Sequence, residues 1–204
     1  MTPEEIHASL QNKFGETILE LNTEVLDPCI KVDAAKLFEI AEFLKSDSAL
    51  SFTSLMCLSG MDYGAFNPLG VVYSLCSMQH KHRITIRVDL PRDNPKVASV
   101  ETIWRTADWH EREAYDLLGI IFAGHRDLRR ILCPEDWEGY PLRKDYIVQE
   151  FYHGIRVPYQ EDWSKYETFG KNPERGHFVF DLELKVPELL NDNKNGGDSQ
   201  PSEE

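Results

Sequence analysis

Residues 109–116 are the densest run that could carry out chemistry, because His110 and Glu111 match the first two residues of the H-E-x-x-H motif of zinc-dependent hydrolases. That metal-binding motif needs a second histidine four residues after the first, on the same helical face. Four residues after His110 the chain has Ala114, so a metal hydrolase is not favoured. The pattern instead favours a helix with Asp108 as N-cap and Glu111 as the second half of a capping box.

The same predicted helix separates its charged side chains. Glu111 falls inside an arc of apolar positions, whereas Arg112, Glu113 and Asp116 fall largely outside it. A carboxylate beside an apolar face needs a hydrogen-bond donor or an ion-pair partner. We therefore expect Glu111 to act in capping and ion pairing rather than in general acid–base catalysis.

Residues 125–132 form a second candidate site, with Arg129 and Arg130 among apolar side chains. Paired arginines suit bidentate binding of carboxylates or phosphates. The chain has no G-x-x-x-x-G-K or G-x-G-x-x-G loop, so a nucleotide phosphate is not indicated. Two interpretations remain: a solvated basic face, or structural ion pairs with carboxylates on the helix of Glu111 or on a neighbouring subunit.

A third stretch, residues 134–146, mixes turn residues, aromatic side chains and charges of both signs. That composition is typical of a protein interface. Catalysis would need a nucleophile beside a base, or a cluster of metal ligands, and the sequence shows neither pattern. We therefore predict no catalytic, cofactor-binding or metal-binding residue in this chain.

The composition narrows the possible functions further. The 204 residues carry a formal net charge of −13, which argues against nucleic acids and anionic membrane surfaces as direct partners. The sequence contains no run of about 18 apolar residues, so no transmembrane helix is predicted. The acidic N-terminus does not resemble a secretory or transit peptide. The sequence also lacks a C-x-x-C pair, so neither a zinc site nor an iron–sulfur cluster is indicated. The dispersed cysteines are Cys29, Cys57, Cys76 and Cys133.

Hydrophobic periodicity predicts the elements that would position these stretches. A capping box at Thr2 and Glu5 starts a first helix that ends at Gly15, and Asp33 starts a second. Strands are predicted at residues 17–21, 29–32, 52–58, 69–78 and 82–90. The order α-β-β-α-β-β-β predicts an α+β fold, a two-layer α/β sandwich with helices on one face of the sheet.

A third helix over residues 108–118, ended by Gly119, completes the predicted α+β domain at residues 1–123. Residues 124–187 lose this periodicity and contain five prolines, yet they hold half of the 22 aromatic residues. A disordered segment would be poor in aromatics. We therefore predict an extended, aromatic-rich docking arm at 124–187, followed by a disordered acidic tail at 188–204.

Four separated stretches of the sequence resemble one protein family. The run Glu111-Arg112-Glu113, then Asp116, His125 and Arg129, resembles the signature of the 30-kDa subunit family of NADH:quinone oxidoreductase, respiratory complex I. Residues 77–83, 90–95 and 134–146 resemble that family too, and the similarity extends over residues 34–146. Two departures, Arg126 for a usual proline and Tyr140 for a frequent histidine, are expected to change only local turn geometry.

The resemblance implies a non-catalytic structural subunit of the peripheral arm. The complex couples electron transfer from NADH to quinone with proton translocation, and its FMN, iron–sulfur clusters and quinone would lie in partner subunits. The expected partners are the quinone-site (49-kDa-type) and terminal-cluster subunits, at the cytoplasmic face of the bacterial membrane. The expected interface residues are Glu111, Arg112, Glu113, Asp116, His125, Arg129, Arg130, Trp137, Arg143, Lys144 and Tyr146.

Two alternatives to this function stay open from the sequence. A related subunit occurs in membrane-bound energy-converting hydrogenases, where a nickel-site subunit would replace the flavin-bearing one among its companions. An independent enzyme with an acidic active site is a different class of protein. It would show activity or bound metal in isolation, and the missing catalytic constellation weighs against it.

Overall fold

The computed structural model describes residues 1–64, 67–157, 169–171 and 178–180. The chain forms two compact units, residues 1–147 and residues 148–204. The described helices are Pro3–Phe14 (α1), Leu37–Ser46 (α2) and Ala107–Leu118 (α3), with 3-10 turns at Gly15–Thr17 and Ala34–Lys36. None of these helices is long and apolar enough to cross a bilayer.

Five strands of the first unit form a mixed sheet in the order β1-β2-β5-β4-β3. They are Ile18–Asn22 (β1), Cys29–Val32 (β2), Ser54–Asp62 (β3), Leu69–Ser77 (β4) and His82–Leu90 (β5). Neighbouring strands are antiparallel except for the parallel pair β2 and β5. A separate parallel pair joins Lys96–Ala98 (β6) to Ile121–Ala123 (β7), the strand that follows α3.

The described strands of the second unit form two short antiparallel pairs. They join Phe151–Tyr152 (β8) to Ile155–Arg156 (β9), and Phe169–Lys171 (β10) to Phe178–Phe180 (β11). The rest of the predicted docking arm beyond residue 157, and the predicted tail at 188–204, lie outside the described residues.

The core lies on one face of the five-stranded sheet. Every second residue of β5 is buried, from His82 to Leu90, while the residues between them are exposed or half-buried. α1 buries Ile6 and Leu10, and α2 buries Ile40 and Leu44, in the same apolar cluster. This confirms the predicted α+β sandwich, because the period-two pattern of β5 requires one covered face and one open face.

The predicted helix starts are confirmed at α1 and refined at α2. Thr2 and Glu5 form the reciprocal capping box of α1. The Asp33 carboxylate accepts a hydrogen bond from the backbone N–H of Ala35 at 3.0 Å. It thereby caps the 3-10 turn that leads into α2, whose first residue is Leu37.

Strand β3 extends beyond its predicted end at residue 58 and continues through Gly60 to Asp62. A Cβ atom at Gly60 would lie 2.5 Å from Cδ1 of Leu118 and 3.3 Å from Cβ of Ala114. The glycine thus lets α3 pack closely on the strand, which is a recognised role of glycine within a sheet. Because glycine is typical of turns as well as of close helix contacts, the sequence predicts the end of this strand at residue 58, two residues before Gly60.

The predicted capping box of α3 is wrong, although the helix starts within one residue of its predicted start. The helix begins at Ala107 with Thr106 in the N-cap position and no side-chain cap, so Asp108 and Glu111 do not form a capping box. The predicted end is correct, since Gly119 adopts a left-handed conformation with φ of 71°. Physically, the carboxylate of Glu111 is drawn away from its own helix by donors on a neighbouring segment.

Residues 124–147, which we call the wrapping segment, belong to the first unit, although the predicted domain ends at residue 123. They contain no helix or strand. The backbone N–H of Leu142 donates to the carbonyl of Leu117 at 3.0 Å, and Nε of Arg143 donates to the carbonyl of Leu118 at 2.7 Å. The segment therefore caps the last carbonyls of α3, which would otherwise lack partners.

Replacing Gly119 with alanine should destabilise the first unit through both backbone strain and lost packing. A left-handed conformation costs an L-residue about 1–2 kcal/mol. A Cβ atom at Gly119 would also lie 2.5 Å from ring atoms of Tyr140 in the wrapping segment. Gly124→Ala is the matched control, because Gly124 has φ of 89° and no atom near its Cβ position.

Chemical denaturation should show a further decrease of about 1–3 kcal/mol in the free energy of unfolding for Gly119→Ala relative to Gly124→Ala. Equal decreases in the two variants would contradict firm packing of Tyr140 against the end of α3.

Candidate functional site

α3 buries charged side chains that were expected to face solvent. Asp116 and Arg112 are buried, although the sequence predicts them largely outside the apolar arc of the helix, and that expectation is wrong. The wrapping segment covers this side of α3, and an irregular segment leaves no periodic signal that would reveal the cover. Glu113 is exposed, as expected.

Asp116 fastens the wrapping segment to α3. Its Oδ2 accepts hydrogen bonds from three successive backbone N–H groups, of Ile131 at 3.0 Å, Leu132 at 2.6 Å and Cys133 at 2.9 Å. Its Oδ1 accepts from Nη1 of Arg130 at 2.8 Å. Burial alone would raise the pKa of Asp116, but these donors outweigh it and hold the pKa below its usual range.

Arg130 extends this contact along the wrapping segment. Its Nη2 donates to the carbonyls of Trp137 at 3.1 Å and Gly139 at 2.8 Å. Its guanidinium lies 5.4 Å from the ring centroid of Tyr140, which Arg143 approaches to 4.7 Å. One side chain thus holds together α3 and two turns, using the planar set of donors that distinguishes arginine from lysine.

Arg129 behaves differently from its neighbour. Its side chain is 63% exposed and pairs with Asp127 at 3.0 Å. Of the two predicted kinds of partner, a carboxylate of the Glu111 helix pairs with Arg130. Within the described chain Arg129 pairs with Asp127 instead, and its pairing with a neighbouring subunit stays a prediction. The backbone at residue 129 turns the side chain outward, toward solvent.

A second carboxylate fastens the far end of the wrapping segment. Asp62, at the end of β3, accepts a hydrogen bond from the backbone N–H of Lys144 at 2.7 Å and pairs with Nη2 of Arg92. Nη1 of Arg92 donates to Asp145 at 2.9 Å. Sequence reasoning missed Asp62 and Arg92 as partners of this segment, because Asp62 and Lys144 lie 82 positions apart and share no local pattern.

Glu111 is held by the segment between β6 and α3. Its Oε1 accepts from the backbone N–H of Val100 at 2.8 Å, and its Oε2 accepts from Oγ of Ser99 at 2.6 Å. Burial raises the pKa of Glu111 to about 7, against the effect of these two hydrogen bonds, and the nearby carboxylates of Glu101 and Asp108 raise it further. Ser99 tolerates either protonation state, since a hydroxyl both donates and accepts.

Three carboxylates converge on the fully buried side chain of His125. Nε2 lies 3.6 Å from Oε2 of Glu101, 3.6 Å from Oδ1 of Asp108 and 3.9 Å from Oε2 of Glu111. The ligand atoms of Glu101, Asp108 and His125 all lie within 4.8 Å of one another. By composition and spacing alone, this cluster could hold a metal ion.

Its hydrogen bonds favour an ion-pair network instead. Nδ1 of His125 accepts from the backbone N–H of Asp127 at 3.0 Å, so the proton of the neutral ring resides on Nε2. Nε2 then donates to the carbonyl of Asp108 at 3.2 Å and offers no lone pair to a metal. Arginines already pair with two of the carboxylates, Arg112 with Asp108 at 3.1 Å and Arg126 with Glu101 at 3.3 Å.

Arg126 therefore does more than change a turn, which is the only effect expected of it from the sequence. Its backbone N–H donates to Oε1 of Glu101 at 3.1 Å, a bond that a proline at this position could not form. Its guanidinium, although 63% exposed, supplies positive charge to a cluster rich in carboxylates.

The remaining predicted interface residues lie in the turns of the wrapping segment. Nε1 of Trp137 donates to the hydroxyl of Tyr146 at 3.1 Å, and the Tyr146 ring lies 3.0 Å from the Cβ position of Gly139. The Lys144 residue is exposed. Most of the signature thus holds the first unit together, and it leaves Glu113, Arg129 and Lys144 at the surface.

Residues 30–152 match the family of the respiratory-chain NADH dehydrogenase 30 Kd subunit. The chain belongs to this family. It is 51% identical over 152 residues to the C-type subunit of NADH-quinone oxidoreductase from Chloroherpeton thalassium, covering 74% of this chain and 63% of that protein. It is 48% identical over 152 residues to the corresponding protein of Chlorobium phaeobacteroides, covering 74% and 92%. The chain therefore spans less than two thirds of the first relative and most of the second.

Two solved structures are similar to this chain in fold. The trypsin-resistant fragment (1-134) of Nqo5 has a TM-score of 0.52 at 26% identity, covering 60% of this chain and 98% of the fragment. A chain of the membrane-bound sulfane sulfur reductase, an archaeal respiratory complex, gives 0.59 at 21% identity, covering 71% and 85%. The second likeness shows the fold alone.

In this member of the 30-kDa subunit family, Asp116→Asn should strongly destabilise the first unit. Removing one partner of a buried ion pair typically costs about 3–5 kcal/mol. The amide would also present N–H groups to donors that need an acceptor. Glu39→Gln is the matched control, because Glu39 pairs with Lys36 at 2.8 Å where both side chains are exposed, and its loss should cost about 0.5 kcal/mol or less. Similar unfolding free energies for the two variants would exclude Asp116 as the main attachment.

Glu111 should make the stability of the first unit depend on pH. Its folded-state pKa of about 7 lies above the ordinary value of 4.5, so the folded chain binds more protons between these values. The stabilisation is complete below pH 4.5 and is lost as the pH rises to 7, with a slope of at most about 1.4 kcal/mol per unit.

Urea denaturation over this pH range should show a flatter profile for Glu111→Gln than for the unchanged chain. Glu113→Gln, at an exposed position, should keep the original slope. Parallel profiles for the unchanged chain and Glu111→Gln would rule out Glu111 as the titrating group.

Proposed function

We propose that this chain is a non-catalytic structural subunit in the peripheral arm of an NADH:quinone oxidoreductase that couples electron transfer to proton translocation. The observation that carries this proposal is that side chains of the family signature form hydrogen bonds within this chain. Hydrogen-bond partners within the chain already occupy the polar atoms of Asp116, Glu111 and Arg130. A catalytic acid or base must instead reach a substrate.

The cofactors of such a complex would lie outside this subunit. Arg112 and Arg126 already pair with two of the three carboxylates around His125, Asp108 and Glu101. The four cysteines are free, and they lie in separate elements or turns. We assign FMN, the iron–sulfur clusters and quinone to partner subunits, in accord with the family.

The exposed side chains supply the chemistry of an interface. Trp109, Leu132 and Leu142 are large apolar residues with more than half of their surface exposed, and Arg129 adds an exposed cation. Aromatic and arginine side chains dominate binding energy at protein interfaces. We propose that these residues contact the quinone-site and terminal-cluster subunits, and that the complex holds the chain at the cytoplasmic face of the membrane.

The part of the predicted docking arm that follows the wrapping segment, residues 148–187, belongs to the same proposal. Residues 148–187 contain eight of the chain's aromatic residues, and the tail at 188–204 contains none. Each aromatic side chain can bury about 150–250 Å², enough to offset the ordering of an extended segment along a partner. We propose that the arm clamps a partner subunit and that the tail contributes nothing to assembly.

Purification of the complex from native cells, through a tag on this chain, tests the function. We expect a flavin-bearing, NADH-oxidising subunit among its companions. A nickel-site subunit in its place would indicate the hydrogenase alternative, and recovery of the chain without companions would contradict both assignments.

The arm is tested in the same way: a chain ended after Asn191 should retain its companions, and a chain ended after Ile147 should lose most of them.

A further inference from the structure

A groove with a cavity volume of about 130 Å³ lies between β3 and α3, apart from the buried charge network. Leu58, Ser59 and Gly60 line it from the strand, Leu117 from the helix and Leu142 from the wrapping segment. Its walls therefore combine these apolar side chains with the polar side chains of Ser59, His110 and Glu113. The volume suits one or two side chains rather than a cofactor, since sites for small molecules usually measure about 300–1,000 Å³.

β3 offers a free backbone edge beside this groove. It is the last strand of the sheet and pairs with β4 alone. Among the described residues, no backbone group of residues 55–61 forms a hydrogen bond outside the β3–β4 pairing. Edge strands are usually protected by charged residues, proline or bulges. β3 spans nine residues with Asp62 as its single charge and without proline, and its one irregularity in register lies between Leu55 and Cys57, before the residues that line the groove.

The rim of the groove carries polar side chains that have no partner within the described chain. His110 and Glu113 lie three positions apart on α3, both line the groove, and neither forms a hydrogen bond or ion pair with a described residue. By contrast, Asp108, Arg112 and Asp116 on the same helix are all paired. Glu113 is thus an uncompensated carboxylate at the mouth of the groove.

We propose that this groove binds an extended segment of a partner subunit, which adds a strand to the free edge of β3. An apolar side chain of the segment would pack against Leu117 and Leu142, and a neighbouring lysine or arginine would pair with Glu113. In strand addition, backbone hydrogen bonds provide affinity and alternate side chains provide specificity. The segment belongs to a companion in the complex, so the proposal rests on the function proposed above.

The charge of the chain favours a basic segment from another protein over other occupants. A second copy of the chain would bring its own net charge of −13 toward Glu113, and like charges disfavour that encounter. The chain's own residues 188–204 are also acidic. A basic segment is instead attracted by the net charge as well as by Glu113.

A photo-crosslinking amino acid at Leu142, in the complex purified from native cells, identifies the occupant. The matched control is the same substitution at Leu19 in the opposite edge strand β1, because both leucines are 56% exposed. We expect Leu142 to cross-link to a partner-subunit peptide with lysine or arginine within a few residues, and Leu19 not to reach that peptide. Cross-linking of Leu142 to a second copy, to residues 148–204 of the same chain, or to no chain would overturn the proposal.

Reversal of charge provides an independent readout. Glu113→Lys should reduce the amount of chain recovered with the complex by about tenfold, equivalent to about 1.4 kcal/mol, because an attraction becomes a repulsion. The control is Glu42→Lys, at an exposed position on α2. Both variants should unfold at the same urea concentration as the unchanged chain, and equal recovery of the two would contradict pairing at Glu113.

The two proposals fail in distinguishable ways. An unchanged chain that carries no respiratory companions would contradict the proposed function and the groove together. An unchanged chain that co-purifies with the complex, while Leu142 reaches no basic partner peptide, would contradict the groove alone.

Discussion

The buried carboxylate of Asp116 is the interaction on which the irregular part of the first unit depends. The wrapping segment has no helix or strand, so repeated backbone pairing cannot hold it. One anion instead satisfies three successive N–H groups and the guanidinium of Arg130. Hydrogen bonds to a charged group are worth about 1.5–3 kcal/mol each. The carboxylate and these donors would both be costly to bury alone, and each makes the burial of the other favourable.

The environments of two carboxylates on α3 shift their pKa values in opposite directions. Asp116 accepts four hydrogen bonds, from three backbone N–H groups and Arg130, and these bonds favour its charged form and lower its pKa. Glu111 lies deeper among other carboxylates, with two donors, and its pKa rises to about 7. Each neighbouring arginine is already paired, Arg112 with Asp108 and Arg126 with Glu101. A third carboxylate therefore remains without a cation, and a proton is the simplest compensation.

The sequence predicts those parts of the molecule whose causes are local. The capping box at Thr2 and the alternation in β5 are read from neighbouring residues, and both predictions are confirmed. The candidate site was found as a signature, but its contacts were not. Asp62 and Asp116 meet partners far along the chain, in a segment without periodicity. Gly60 shows the same limit, because a turn and a close helix contact call for the same residue.

The position of the wrapping segment at the end of the first unit also constrains how the chain folds during synthesis. The sheet and α3 leave the ribosome before residues 131–145 do, so Asp116 and Asp62 enter water before their donors emerge. Contacts that close such long loops form late and slow the search for the native state. Until then the apolar end of α3 is uncovered, and a nascent chain in this state is open to premature association. Packing of the wrapping segment against α3 and β3 thus completes the fold of the first unit.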